Sequence, residues 1–110
     1  MKVSIITVCF NSAATIRDTI ESVLAQDYAD IEYIIVDGAS KDNTLSIVNE
    51  YRDRIATVIS EPDKGIYDAM NKGIQQATGD YLIFMNAGDC FASNHTLDSL
   101  LEAINNQPDV

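Results

Sequence analysis

The sequence predicts an α/β fold, a doubly wound and mainly parallel sheet with alternating helices. Three observations predict it. Short apolar runs rich in β-branched residues alternate with stretches whose apolar residues recur every three to four positions. The alternation repeats four times, and strand–helix repeats of this kind imply parallel strands joined by right-handed crossovers. Three of the runs close in polar motifs, Phe10-Asn11, Asp37-Gly38-Ala39-Ser40 and Asn86-Ala87-Gly88-Asp89. In an open parallel sheet the carboxyl ends of the strands share one edge, and ligands bind there.

Val3 to Cys9 has the near-continuous apolar pattern of a strand covered on both faces. Ser12 is placed to cap the next helix, with Ile16, Ile20, Val23 and Leu24 on one stripe. Glu32 to Asp37 repeats the buried-strand pattern, and Gly38 is expected to turn the chain. Asp42 reads as the N-cap of a helix carrying Leu45, Val48 and Tyr51. Ala56 to Ser60 is a short third strand that Pro62 keeps from continuing. From Ile66, the row Ile66, Met70, Ile74 runs beside a small-residue row, Ala69, Gly73, Ala77, which predicts close helix-to-sheet packing. Asp80 to Met85 is the fourth strand, and Leu97, Leu100, Leu101 and Ile104 mark a last helix. The helix-stopping run Asn105-Asn106-Gln107-Pro108-Asp109-Val110 is expected to end it. Strand one should lie between strands two and four.

Composition sets the limits. The 110 residues suit one domain, and 46% hydrophobic residues suffice for a single core. A net charge of −10 argues against non-specific binding to nucleic acid or anionic lipid. It leaves a nucleotide ligand open, because a divalent cation can bridge carboxylates to a diphosphate. No apolar run approaches the roughly 18 residues of a membrane span. With no signal-peptide pattern, Cys9 and Cys90 read as reduced packing thiols, and a cytoplasmic location is expected.

The strand ends carry the chemistry. Asp37 either accepts N–H groups of a uracil or guanine ring or forms a turn by bonding its own backbone. Phe10 offers a face on which a base can stack, or simply covers the sheet edge. Lys64, between Asp63 and Gly65 just before a helix, can meet phosphate together with that helix N-terminus, or stand solvated. Asp89 suits a hard cation such as Mg²⁺ or Mn²⁺, which takes few protein ligands when substrate phosphates complete its shell. The sole histidine, His95, reads as a surface residue beside the last helix.

Together these motifs resemble the family 2 glycosyltransferases of the GT-A fold, over nearly all of the chain. Ser4-Ile5-Ile6-Thr7-Val8-Cys9-Phe10-Asn11 is similar to the family's opening strand, with Cys9 where proline is common. Val36-Asp37-Gly38-Ala39-Ser40 matches the motif whose Asp contacts the base. Asp68-Ala69-Met70-Asn71-Lys72-Gly73 aligns with a stretch that often carries arginine where Met70 stands, which shifts phosphate binding to Lys64 or the metal. Asn86-Ala87-Gly88-Asp89 keeps only the last carboxylate of the family's Asp-x-Asp-type motif.

The resemblance implies a nucleotide-diphosphate sugar donor, a UDP-sugar favoured, bound by Phe10, Asn11, Asp37, Lys64 and Asn86, with Asp89 on Mg²⁺ or Mn²⁺. It implies inverting transfer to a hydroxyl of a saccharide or lipid-linked saccharide in bacterial polysaccharide synthesis, in the cytoplasm or peripherally at the inner face of the membrane. On this reading residues 1–110 are the N-terminal, donor-binding part. The acceptor half and catalytic base lie elsewhere, the isolated part is inactive, and its exposed edge favours self-association. A dinucleotide fold is disfavoured because Phe10-Asn11-Ser12-Ala13-Ala14 lacks glycine. Two alternatives stand: a non-catalytic nucleotide-binding domain, and a response-regulator receiver, whose acidic pair closing strand one is missing here.

Overall fold

The structure, a computed structural model, describes residues 1–105. Their elements run β1 (Val3–Cys9), α1 (Ile16–Leu24), β2 (Ile31–Asp37), α2 (Thr44–Asn49), a 3₁₀ turn (Arg52–Arg54), β3 (Thr57–Ser60), α3 (Ile66–Gln76), β4 (Tyr81–Asn86) and α4 (Thr96–Asn105). Asn105 thus belongs to the last helix, and the remaining helix-stopping residues, 106–110, lie outside the described residues.

The strands form one parallel sheet in the order β3-β2-β1-β4, so β1 does lie between β2 and β4. Its two faces bury different sets. Ile5, Tyr33, Ile35 and Met85 meet Ile16, Ile20 and Val23 of α1, Val48 of α2, and Leu97 and Leu101 of α4. On the other face Ile6, Val8, Ile34 and Val36 meet Ala69 of α3. Both faces of β1 are therefore covered, which is why its sequence is a continuous apolar run rather than an alternation. Each such fully buried isoleucine or valine contributes about 1.5–3 kcal/mol relative to exposure.

The small-residue row faces the sheet, as its spacing predicts. A Cβ added to Gly73 would stand 2.5 Å from Ile6 Cγ2, so only glycine lets α3 approach this closely. The larger row is displaced outward, leaving Ile66 and Ile74 exposed and Met70 half-buried.

Two caps differ from expectation. Helix α1 starts at Ile16, and Ser12 contributes its backbone carbonyl, which accepts from Thr15 and Ile16 N–H; its hydroxyl bonds Phe10 instead. At α2 the cap position is Asn43, while Asp42 Oδ1 accepts from Thr44 N–H one residue further in. The Ser12 side chain thus serves its own loop, whereas Asp42 holds the first N–H of α2 through Oδ1 and the loop after β1 through Oδ2. The turn after β2 is also made differently: the left-handed residue is Ala39, at φ 62°, and Gly38 is needed for space.

The strand order reverses direction between β1 and β4. Chain from β1 proceeds outward through β2 to β3, then α3 carries it back across the opposite face to β4. That reversal opens a crevice at the carboxyl edge, where ligands of open α/β sheets bind.

Candidate functional site

A cleft of about 360 Å³ occupies this crevice. Its walls come from the end of β1 (Val8, Cys9, Phe10), the start of α3 with its preceding loop (Asp63, Gly65, Ile66, Ala69), and the end of β4 (Asn86, Ala87). The floor is apolar. Phe10 stands 59% exposed at the rim, as a stacking platform must.

The loops after β1 and β2 are laced together. Gly38 N–H donates to Cys9 O at 3.0 Å, Asn11 N–H to Ser40 Oγ at 2.8 Å, and Lys41 N–H to Asn11 Oδ1 at 2.8 Å. Ser12 N–H donates to Thr44 Oγ1 and Ala13 N–H to Asp42 Oδ2. The hydrogen bonds from Thr44 to Asp42 hold that carboxyl below the usual carboxylate range. This lacing fixes the wall that carries Phe10. Asn11 is part of it: the side chain joins two loops and does not line the cleft.

Asp37 is fully buried. Its Oδ2 accepts from Ser40 N–H at 3.0 Å and from Ser60 Oγ at 2.9 Å, while its Oδ1 accepts from Ser40 Oγ. The carboxylate thus ties the loop after β2 to the end of β3, and a base reaches it only by displacing one of those serines. Beside it lies Cys9, whose thiol is pushed up to about 12 by burial and then by the charge of Asp37. Cys9 and Cys90 are both free thiols.

Between β3 and α3 the chain folds over Lys72. This lysine is mostly buried and donates to Pro62 O at 2.8 Å while pairing with Glu61 at 3.1 Å. The loop so held presents Asp63 to the cleft, with Oδ1 accepting from Gly65 N–H at 3.1 Å. Lys64 is exposed on the same loop; its backbone N–H donates to Asp68 Oδ2 at 2.9 Å, and its ammonium makes no ion pair among the described residues. Neither Asp63 nor Lys72 stood out in the sequence as a site residue. The loop that carries both contacts was legible there, but the direction of an Asp in a loop is not written in its spacing.

The turn after β4 closes on itself. Asp89 N–H donates to Asn86 O and Asn86 N–H donates back to Asp89 Oδ2, both at 2.9 Å. Both side chains are exposed, and Asn86 lines the cleft. Among the described residues no three His, Cys, Asp or Glu gather as a metal cage. One exposed carboxylate beside an amide oxygen does fit a hard cation that takes most of its ligands from water and a bound diphosphate. His95 lies apart, exposed and paired through Nδ1 with Asp27.

Among the described residues no helix is long and apolar enough to cross a membrane. The family model for glycosyl transferase family 2 matches residues 4–110. The chain belongs to that family. A Mycobacterium tuberculosis protein named as an uncharacterised glycosyltransferase is 40% identical over 103 residues, covering 93% of this chain and 39% of that relative. Among solved structures, TarS of S. aureus in complex with UDP-GlcNAc superposes with a TM-score of 0.88 at 29% identity, covering 96% of this chain and 32% of that one. A mannosyltransferase from Pyrobaculum calidifontis in complex with GDP-Man and Mn²⁺ gives 0.81 at 26% identity, over 94% and 31%. This family membership, with the GT-A fold of those neighbours, removes the receiver alternative. The chain spans about two-fifths of the length of the curated relative.

Proposed function

We propose that residues 1–110 are the donor-binding part of a glycosyltransferase that passes a sugar from a nucleoside diphosphate to an acceptor hydroxyl. A UDP-sugar is the favoured donor. One observation carries the reading: a single cleft at the β1/β4 reversal is lined by an exposed aromatic ring, Phe10, and by Asn86 of the Asn86–Asp89 turn. A nucleotide suits both, with a base that can stack on the ring and a diphosphate for the polar turn. The solved neighbours support it, since one binds UDP-GlcNAc and another GDP-Man with Mn²⁺.

In this reading Phe10 stacks the base, while Asn11 and Asp37 hold the loops that position Phe10. Lys64 and the first N–H groups of α3 face the diphosphate, where a helix N-terminus favours negative charge. Asp89, with Asn86 beside it, would hold Mg²⁺ or Mn²⁺. When bound, that cation neutralises charge developing on the departing diphosphate, a major electrostatic demand of the reaction. The acceptor site and the base that deprotonates its hydroxyl we assign to the further length of the relatives. We place the reaction on the cytoplasmic side of the membrane, with a saccharide or lipid-linked saccharide as acceptor. Calorimetry with UDP, GDP and dTDP conjugates, with and without Mn²⁺, tests the reading. Binding of at least one is expected; no binding by any would overturn it.

A further inference from the structure

We propose that Thr19 is the positioning residue of the cation-holding turn, its buried hydroxyl fixing the backbone just ahead of Asp89. The proposal rests on the nucleoside diphosphate reading of the cleft, with a cation on Asp89, and adds the contact that aims that carboxylate.

Helix α1 buries Ile16, Thr19, Ile20 and Val23. Valine has threonine's shape, so packing alone gives no reason for a hydroxyl at a fully buried position. That hydroxyl has a partner across the fold: Thr19 Oγ1 accepts from Gly88 N–H at 2.8 Å. Gly88 lies at φ 103°, a backbone that glycine adopts far more readily than other residues. The freedom that admits this turn admits others too, and the bond to Thr19 selects one. Asp89 follows directly. In the selected turn its N–H donates to Asn86 O, and Asn86 N–H donates back to Asp89 Oδ2. The buried hydroxyl therefore acts on the carboxylate through a single glycine.

Further along, α1 holds the same segment by other side chains. Phe91 N–H donates to Ser22 Oγ at 2.7 Å, and Leu97 N–H donates to Gln26 Oε1 at 3.0 Å. Gln26 Nε2 in turn donates to Ser93 O at 2.6 Å. Thr19, Ser22 and Gln26 are spaced three and four residues apart, so they share one helix face. The irregular stretch between β4 and α4 thus finds backbone partners on α1, as a buried stretch without a ladder must. Of these three side chains, Thr19 is the one that meets the Asn86–Asp89 turn itself.

The probes are UDP and Mn²⁺: calorimetric titration of UDP into the chain with and without the metal, with urea unfolding alongside. Mn²⁺ should tighten UDP about tenfold in the wild type and about threefold or less in Thr19→Val, whose Asp89 is no longer aimed. Thr19→Ser, which keeps the hydroxyl, should regain the wild-type factor within about twofold. Ser22→Ala loses a bond of the same kind one turn further along, so it should lose stability and keep the wild-type factor. If Thr19→Val does not fold, Thr19→Ala, which leaves room for a water at Gly88 N–H, carries the same expectation. A wild-type factor in the folded Val or Ala variant, or an equal fall in Ser22→Ala, overturns the assignment while leaving the nucleotide reading standing. A wild type that binds UDP but gains nothing from Mn²⁺ overturns it together with the cation on Asp89. A wild type that binds no UDP overturns the nucleotide reading itself.

Discussion

Lys72 donates from Nζ to Pro62 O at 2.8 Å and so fastens the loop between β3 and α3 to the helix that follows it. The same ammonium lies 3.1 Å from Glu61 and 3.7 Å from Asp68. The one ammonium thus gathers a carbonyl and two carboxylates, and holds them in place. Replacing Lys72 by Met keeps the stem and removes the fastening. The expected loss is about 1–2 kcal/mol of stability, most of it from the carbonyl bond, because Glu61 is exposed and screened. UDP affinity should fall in the same variant, while Lys72→Arg recovers part of both. Urea unfolding and UDP titration measure the two effects; unchanged affinity would mean the loop holds itself.

Asp37 predicts a different pattern. Its carboxylate is fully buried and accepts from Ser40 and Ser60, so Asp37→Ala leaves those donors without a partner. A loss of about 2–4 kcal/mol is expected, from the broken hydrogen bonds and the cavity together. Asp68→Ala removes a half-buried acceptor for Lys64 N–H and a screened i,i+4 pairing with Lys72, and should cost about 1 kcal/mol or less. Nucleotide binding should therefore fall more for Asp37→Ala than for Asp68→Ala, and in step with stability. Thermal unfolding beside UDP titration decides it, and equal losses in the two variants would contradict the account.

The thiols should separate by reactivity. Cys90 is exposed, whereas Cys9 is buried and its thiol is pushed up to about 12, first by burial and then by Asp37. Since the thiolate is the nucleophile, one thiol per chain should react quickly with a disulfide reagent at pH 8, and the second only on unfolding. Cys9 also has a sign for stability. Its folded pKa lies above the unfolded value, so its contribution is complete below about pH 9 and is lost as pH rises toward 12. Cys9→Ala should flatten that alkaline decline. At the acid end, Asp42 is held low by hydrogen bonds from Thr44 and then Ala13, so its contribution is present above about pH 4 and is lost as pH falls through its depressed value.

Self-association is the fourth expectation. Leu82 and Phe84 are 41% and 38% exposed on β4, an outer strand of the sheet. Their register with Ser4 and Ile6 places them on the face that α3 covers only in part, and Ile66 and Ile74 of α3 are exposed as well. An outer strand with apolar residues beside it invites pairing. Sedimentation across a concentration series should show a rising mass for the 110-residue chain, and Phe84→Lys should suppress it. A monomer at every concentration would contradict this.

Much of the fold was legible because its signals are periodic. The runs Val3–Cys9 and Ile31–Asp37 read as doubly covered strands, and the row Ala69, Gly73, Ala77 foretold how closely α3 sits on Ile6. What stayed hidden depends on direction rather than pattern. Ser12 and Asp42 have the composition of helix caps, yet the Ser12 hydroxyl bonds Phe10 O in its own loop, and Asp42 adds to its bond from Thr44 N–H one from Ala13 that spacing does not reveal. Gly38 looked like a turn residue because glycine permits a left-handed backbone; the left-handed residue is Ala39, and a side chain at Gly38 would crowd Asp63 and Phe10, which both close in on it. For the same reason the strand end showed an aspartate at Asp37 but not that its carboxylate points inward.

The central claim is that the carboxyl edge holds a nucleoside diphosphate whose charge is shared with a cation on Asp89. The most direct test is calorimetric titration of UDP into the chain with and without Mn²⁺, repeated on Asp89→Ala. The account predicts that Mn²⁺ tightens UDP binding about tenfold or more in the wild type and has little effect in Asp89→Ala, whose lost exposed bond from Asn86 N–H should cost about 1 kcal/mol or less of stability. Tightening by Mn²⁺ that persists undiminished in Asp89→Ala, or no UDP binding by the wild type under either condition, would contradict it.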